Sequence, residues 1–189
     1  MKDYEYIKNI IESIIFVSDS PVSTNELSEL FKELDKKEIR SCIKDLQNKW
    51  MELDRSFLLQ YVAGGYQFRT KSEYSEYIID FNKKIKKFRL SRAALEVLAI
   101  VAYKQPITKV EIEKIRGVDC SGVVNLLLDK RFLQIKGRKD VPGKPFIYAT
   151  TDVFLETFSL KSLKDLPTLK EIEKINEDLE ELEEIKEQN

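Results

Sequence analysis

The chain has 189 residues, 34% of them charged, a formal net charge of −1 and no histidine. Without histidine it lacks the commonest general base, the usual partner of a Ser or Cys nucleophile and the commonest metal ligand. Two cysteines, Cys42 and Cys120, are too few for a disulfide scaffold or a Cys-rich zinc site, and no GxGxxG or GxxxxGKS/T phosphate loop occurs.

Carboxylates alone are left for catalysis, and they fall on helix surfaces and in the tail. The expectation is a non-enzymatic protein with no catalytic residue, no cofactor and no metal. Both thiols fall inside helical patterns and read as buried, reduced side chains. No signal peptide pattern is visible, and no apolar run approaches the ~18 residues that span a bilayer. A cytoplasmic protein that contacts no membrane is expected. The small net charge hides a split: residues 170–189 hold nine acids and three lysines (net −6), which leaves +5 for residues 1–169.

In chain order, Ile7, Ile10, Ile11, Ile14 and Ile15 recur at helical spacing and predict a helix over Tyr4–Val17. Pro21 breaks the chain. Ser23 and Glu26 form a capping box that opens a second helix, running to about Glu33. A third helix is predicted from Asp35 or Lys36 to Leu53, with Ile39, Ile43, Leu46 and Trp50 on one side. Phe57–Ala63 and Tyr66–Thr70 flank Gly64-Gly65 and predict a hairpin. Ser72 then caps a short helix carrying Tyr74, Tyr77, Ile78 and Phe81.

The second half repeats this order. Pro21-Val-Ser-Thr-Asn-Glu-Leu, shifted by 85 residues, meets Pro106-Ile-Thr-Lys-Val-Glu-Ile. Tyr66-Gln-Phe-Arg-Thr-Lys-Ser-Glu-Tyr, shifted by 80, meets Phe146-Ile-Tyr-Ala-Thr-Thr-Asp-Val-Phe. Two matches at nearly one offset predict a repeated architecture. Leu90–Leu163 reads as helix, Pro-broken turn, capped helix, helix, basic hairpin and aromatic helix, which is the order of a winged helix. The fold class is mainly α with small β-hairpins: two tandem winged-helix domains (1–82 and 90–166), a basic linker (83–89) and an acidic helical or frayed tail (167–189). In that tail Ile172, Ile175, Leu179 and Leu182 span two heptads, short of a coiled-coil signature.

Winged helices commonly read DNA with the third helix. In the second half that helix, from about Cys120 to Arg131, turns Val123, Leu126 and Leu127 inward and Ser121, Gly122, Asn125 and Asp129 outward. Asp129 repels phosphate, and no Arg or Lys is placed to read guanine. In the first half Lys36, Lys37, Arg40, Lys44 and Lys49 are interleaved with Glu38 and Asp45, a mixed face read as solvated, with phosphate binding as the alternative. The wing carries Lys136, Arg138, Lys139 and Lys144 around Pro142-Gly143, suited to phosphates, to an acidic partner or to plain solvation.

Helix Arg92–Tyr103 is apolar on two faces, Leu95, Leu98, Val101 and Ala102 against Ala93, Val97 and Ile100. A helix apolar all round is expected to be buried all round. The face that the core does not cover is expected to meet the first half, a second copy of the chain or another protein, and the candidate residues for that partner surface are Val97, Ile100 and Tyr103, with Phe158 and Leu160. Tyr6 and Phe16 stand apart from the isoleucine stripe of the first helix and are the dimer-contact candidates.

Leu90–Leu166 closely resembles the segregation and condensation protein B family, the winged-helix partners of kleisins in bacterial SMC complexes. The resemblance lies in Ala94-Leu-Glu-Val-Leu-Ala-Ile-Val-Ala-Tyr-Lys-Gln-Pro-Ile-Thr, in Glu113-Lys-Ile-Arg-Gly-Val and in Gly137-Arg-Lys-Asp-Val-Pro-Gly-Lys-Pro-Phe-Ile-Tyr-Ala-Thr-Thr-Asp. Phe154-Leu-Glu-Thr-Phe-Ser-Leu completes it. The first half matches in layout and in Ile14-Ile-Phe-Val-Ser. Lys144 stands where the family commonly has Arg, and Ala149 and Ser159 where Gly is frequent. The resemblance implies amino-terminal domains that pair as a homodimer and carboxy-terminal domains that hold the kleisin, segregation and condensation protein A. By the same resemblance the chain is expected to meet the SMC ATPase through the kleisin, at the nucleoid, in chromosome condensation and segregation. DNA contact is expected to be weak and non-specific at most. The alternative reading is a winged-helix transcription regulator.

Overall fold

The computed structural model describes residues 4–82, 89–168, 170–172 and 174. The expected basic linker lies outside the described residues except for Arg89, as do Ile175, Leu179 and Leu182 of the tail.

Helix α1 (Tyr4–Val17) buries Ile7, Ile11 and Ile15. Residues four apart stack on one helix face, so the pattern delivers a single apolar edge. Helix α2 (Thr24–Leu30) opens on the predicted box: the Ser23 hydroxyl accepts the Glu26 N–H at 3.2 Å and the Glu26 carboxylate accepts the Ser23 N–H at 2.7 Å. It stops short of Glu33, because Phe31 leaves helical geometry and turns its ring into the core, where it is 3% exposed. Asp35 caps α3 (Lys36–Glu52), which buries Ile39, Cys42, Ile43 and Leu46. Trp50 stays at the rim, in an aromatic cluster with Phe57 and Phe68 at ring separations of 4.8 and 5.2 Å.

Strands β1 (Phe57–Val62) and β2 (Gly65–Thr70) pair antiparallel with Val62 opposite Gly65. The tight turn is therefore Ala63-Gly64, one residue earlier than expected, with φ of 48° and 76°. Positive φ at both positions is what a two-residue hairpin turn demands. Gly65 is required for another reason. A Cβ there would stand 2.8 Å from the Pro21 carbonyl carbon and 2.9 Å from that of Val22. Helix α4 (Ser75–Phe81) follows and buries no side chain.

The second half is built the same way from α5 (Arg92–Lys104), β3 (Ile107–Thr108), α6 (Lys109–Arg116), α7 (Ser121–Asp129), β4 (Leu133–Arg138), β5 (Phe146–Thr150) and α8 (Asp152–Thr157). Its strands lie in the order β3-β5-β4, all antiparallel. Thr108 and Glu111 repeat the capping box of Ser23 and Glu26. Ile107 pairs with Tyr148 of the hairpin, as Val22 pairs with Tyr66 in the first half. Residues following the two prolines thus close on the hairpins in the same manner.

Two separate apolar cores result. Ile11, Ile15, Leu27, Ile39, Ile43 and Leu46 centre the first, and Val97, Leu98, Val101, Ile112, Val124 and Leu127 the second. Each such side chain contributes on the order of 2 kcal/mol by the area it removes from water. Both cysteines are free and buried, one in each core.

Helix α5 is not buried all round: Ala94, Val97, Leu98, Val101 and Ala102 form one buried stripe, while Leu95 is 44% and Tyr103 45% exposed. An i, i+3, i+4, i+7, i+8 stripe is what a one-sided helix needs, and the surplus apolar residues flank it. In α7 the inward pair is Val124 and Leu127; Val123 is half-buried and Leu126 exposed.

Among the described residues, hydrogen bonds join the first-half hairpin to α8 and the segment after it. At the hairpin turn, Ala63 N–H donates to the Leu160 carbonyl at 2.9 Å. Gln67 donates to the Glu156 carboxylate at 2.8 Å and Arg69 to the Glu156 carbonyl at 3.0 Å.

Candidate partner-binding surfaces

The flank of α5 that escapes the core forms one wall of an open groove of about 360 Å³. Leu95, Ala99 and Tyr103 come from that flank, Leu98 and Ala102 from the edge of the core stripe beside it, Phe154 and Phe158 from α8 and its end, and Leu160, Leu166 and Pro167 from the segment that follows. The lining is wholly of apolar and aromatic residues, the composition of a site for an apolar partner rather than for a charged substrate.

Local chemistry holds these walls. At the start of α8 the Thr151 hydroxyl donates to the Arg131 carbonyl and ties the helix to the turn before β4. The Phe154 and Phe158 rings lie 5.1 Å apart. Ser159 then takes φ 58°, a conformation that glycine adopts without cost. This explains why glycine suits the position, and the turn it makes lets the Leu160 N–H reach back to the Leu155 carbonyl at 2.8 Å. The Asp165 carboxylate closes the next turn by accepting the N–H groups of Lys161 and Ser162 at 2.7 and 2.9 Å. Finally, the Tyr103 hydroxyl donates to the Pro167 carbonyl at 2.7 Å, tying the strap to α5.

Of the five residues expected to face a partner, the groove brings together Tyr103, Phe158 and Leu160. Val97 does not belong with them: it is 0% exposed, inside the core of its own half. Ile100 is half-buried against the same core and does not line the groove. Sequence reasoning missed Leu95, Ala99, Leu166 and Pro167. The signal for the first two was present, since Leu95, Ala99 and Tyr103 recur every fourth residue. That for Leu166 and Pro167 was not, because only the strap's path makes them neighbours of α5.

The wing is less available than its composition suggests. Arg138 lies 4.0 Å from the Phe146 ring centre and donates to the Lys144 carbonyl at 3.0 Å. Lys139 pairs with Glu111 at 2.6 Å. That lysine, with the Thr108 backbone and hydroxyl, pulls the Glu111 carboxyl down to about 2. Lys136 sits at a bulge between the Ile135 and Gly137 pairings, and both Lys136 and Lys144 are exposed.

On α1, Phe16, Val17 and Tyr6 are 72%, 78% and 57% exposed. Phe16 meets Phe68 edge-on at 6.3 Å, and with Trp50 and Phe57 it borders a shallow apolar depression. A second depression beside it is lined by Tyr6, Ile10, Ile14 and Val17. The two dimer candidates thus border adjacent hollows. Among the described residues, no group of three His, Cys, Asp or Glu side chains is arranged to hold a metal, and no helix is long and apolar enough to cross a membrane.

The sequence profile of the segregation and condensation complex subunit ScpB family matches residues 9–169, across both halves. The chain belongs to this family. It is 44% identical over 156 residues to segregation and condensation protein B of Syntrophotalea carbinolica, covering 82% of this chain and 78% of that one. It is 43% identical to the Clostridioides difficile protein of that name, over 84% of this chain and 89% of the other. Among solved structures, ScpB from Mycobacterium tuberculosis aligns at 26% identity over 85% of this chain and 99% of its own, with a TM-score of 0.41. Membership makes the chain a non-catalytic subunit of the segregation and condensation complex.

Proposed function

We propose that the chain is the dimeric, kleisin-binding ScpB of its SMC complex, organised as tandem winged-helix domains over 1–82 and 90–166 with 83–89 as linker and 167–189 as tail. It meets the SMC ATPase only through the kleisin, and works at the nucleoid. The groove between α5 and α8 receives an apolar segment of the kleisin, and the α1 hollows around Phe16 and Tyr6 receive a second copy of the chain. The observation that carries this reading is the groove: large apolar side chains stand exposed along α5 although its core stripe is already complete. Leaving Leu95, Tyr103 and Phe158 each about two-fifths exposed forgoes burial that a partner's apolar segment would supply.

The test is co-purification of the full chain with the central region of its kleisin. Ala99→Arg projects a long cation into the groove from an exposed helical position that tolerates arginine well. Capture should be lost while the far-ultraviolet circular dichroism spectrum and melting profile stay as in the parent. Undiminished capture by a folded Ala99→Arg chain would refute the assignment. For the dimer, Phe16→Asp should convert the chain to a monomer in sedimentation velocity. A dimer that survives this change places the pairing elsewhere.

A further inference from the structure

The α3 surface carries a charge pattern that its linear sequence conceals. At about 100° per residue, Lys36, Arg40, Lys44 and Lys37 fall within one arc of roughly 100°. The acids fall elsewhere: Glu38, Asp45 and Glu52 share the opposite flank, and the core residues occupy the arc between. Apart from Lys49, which falls beside Glu38 on the acidic flank, the interleaving of charges along the chain is therefore a segregation in space. All four cations are exposed, and none has an acidic partner among the described residues.

The acids, in contrast, have structural tasks. Glu38 accepts the Asp35 N–H at 2.8 Å to complete the cap, and Asp45 accepts the Tyr4 hydroxyl at 2.8 Å. The basic flank borders the hairpin: Gln47, in the same arc, donates to the Leu59 carbonyl at 3.0 Å.

Stability does not account for the pattern. Lys36 and Lys37 stand in the first turn, where the helix dipole favours anions and opposes cations. Nor does the fold require cations there, since the equivalent α7 turns Ser121, Gly122, Asn125 and Asp129 outward. The stripe also lies on the second helix of the α2–α3 pair, the helix that helix-turn-helix proteins present to a duplex.

We propose that Lys36, Lys37, Arg40 and Lys44 on α3 form a sequence-independent binding surface for the phosphate backbone of double-stranded DNA. Three of the four are lysines, which act as point charges on phosphates rather than as forks for base edges. The proposal does not rest on the kleisin site proposed for the other half of the chain.

The test is fluorescence anisotropy of the full chain with a labelled duplex of arbitrary sequence, titrated at several salt concentrations. Four phosphate contacts predict a log K against log salt slope of roughly −3 to −4. Arg40→Gln with Lys44→Gln should bring that slope about 2 nearer zero. Lys136→Gln with Lys144→Gln, in the wing, should leave it unchanged. Absence of duplex binding at low salt would overturn the proposal. So would an unchanged slope in the α3 variant, a slope that follows the wing instead, or tighter binding to single-stranded RNA than to the duplex. Circular dichroism on each variant confirms that the fold is kept, and these exposed positions carry no core contact.

Discussion

The two halves share one plan and spend their surfaces differently. Each opens with a helix whose buried stripe feeds a core, follows a proline with a capping box, and closes on a two-stranded hairpin. Yet the first half leaves α1 exposed with Phe16 and Val17 and dresses α3 with unpaired cations, whereas the second strips α7 of cations and opens an apolar groove beside α5. The core residues needed for the fold are alike in kind in both halves. What differs is confined to positions the core does not claim, so a duplicated architecture can divide its labour without altering its interior.

The sharpest way to break this comparison is to exchange core and groove on one helix. Val97→Asp buries an unpaired charge and should destabilise the second half by more than about 4 kcal/mol in urea unfolding. Ala99→Arg, two residues on, should change stability by less than about 0.5 kcal/mol. Comparable losses from both would mean that the line between core and groove is misdrawn. Phe158→Ala comes next. Truncating an aromatic anchor should weaken kleisin binding by about 2 kcal/mol, or roughly thirty-fold, measured by calorimetric titration. Its effect on DNA affinity should be nil.

The capping boxes probe the repeat itself. Ser23→Ala and Thr108→Ala should each cost about 1 kcal/mol, each confined to the unfolding of its own half. A large asymmetry would show that the boxes are not equivalent. The smallest effect concerns how the two boxes titrate. Hydrogen bonds from Ser23 lower the Glu26 carboxyl, but Glu111 is drawn down to about 2 because Lys139 joins Thr108 around it. A depressed folded value means that the stabilisation is complete above the unfolded carboxylate pKa of about 4.3. It is lost as pH falls from there through about 2. Lys139→Gln should narrow that window and make the second half's acid unfolding resemble the first half's. Identical acid profiles for parent and variant would remove Lys139 from the account.

How much of this was legible in the sequence depends on the distance over which each feature is specified. Ser23 with Glu26 and Thr108 with Glu111 act over three residues, and the structure places both boxes as read. The isoleucine stripe of α1 is equally local. The hairpin turn slipped by one residue because Gly64-Gly65 looks like a turn pair. Only the close approach of Pro21 to Gly65 shows that the second glycine serves packing. Val97 was misassigned for a related reason. Periodicity shows that α5 has two apolar faces but not which one the rest of the chain covers, and that choice is made by α6, α7 and β5 together. The α3 stripe was hidden because charges were weighed along the chain rather than around the helix.

The most direct measurement is site-specific photo-crosslinking of the full chain in complex with its kleisin, with a photoreactive residue at Ala99 in the groove and a control at Lys49 on α3. The account predicts a kleisin adduct from position 99 and none from position 49. An adduct from position 49 alone, or from neither site in a complex shown to be intact, would contradict the assignment of the groove as the kleisin surface.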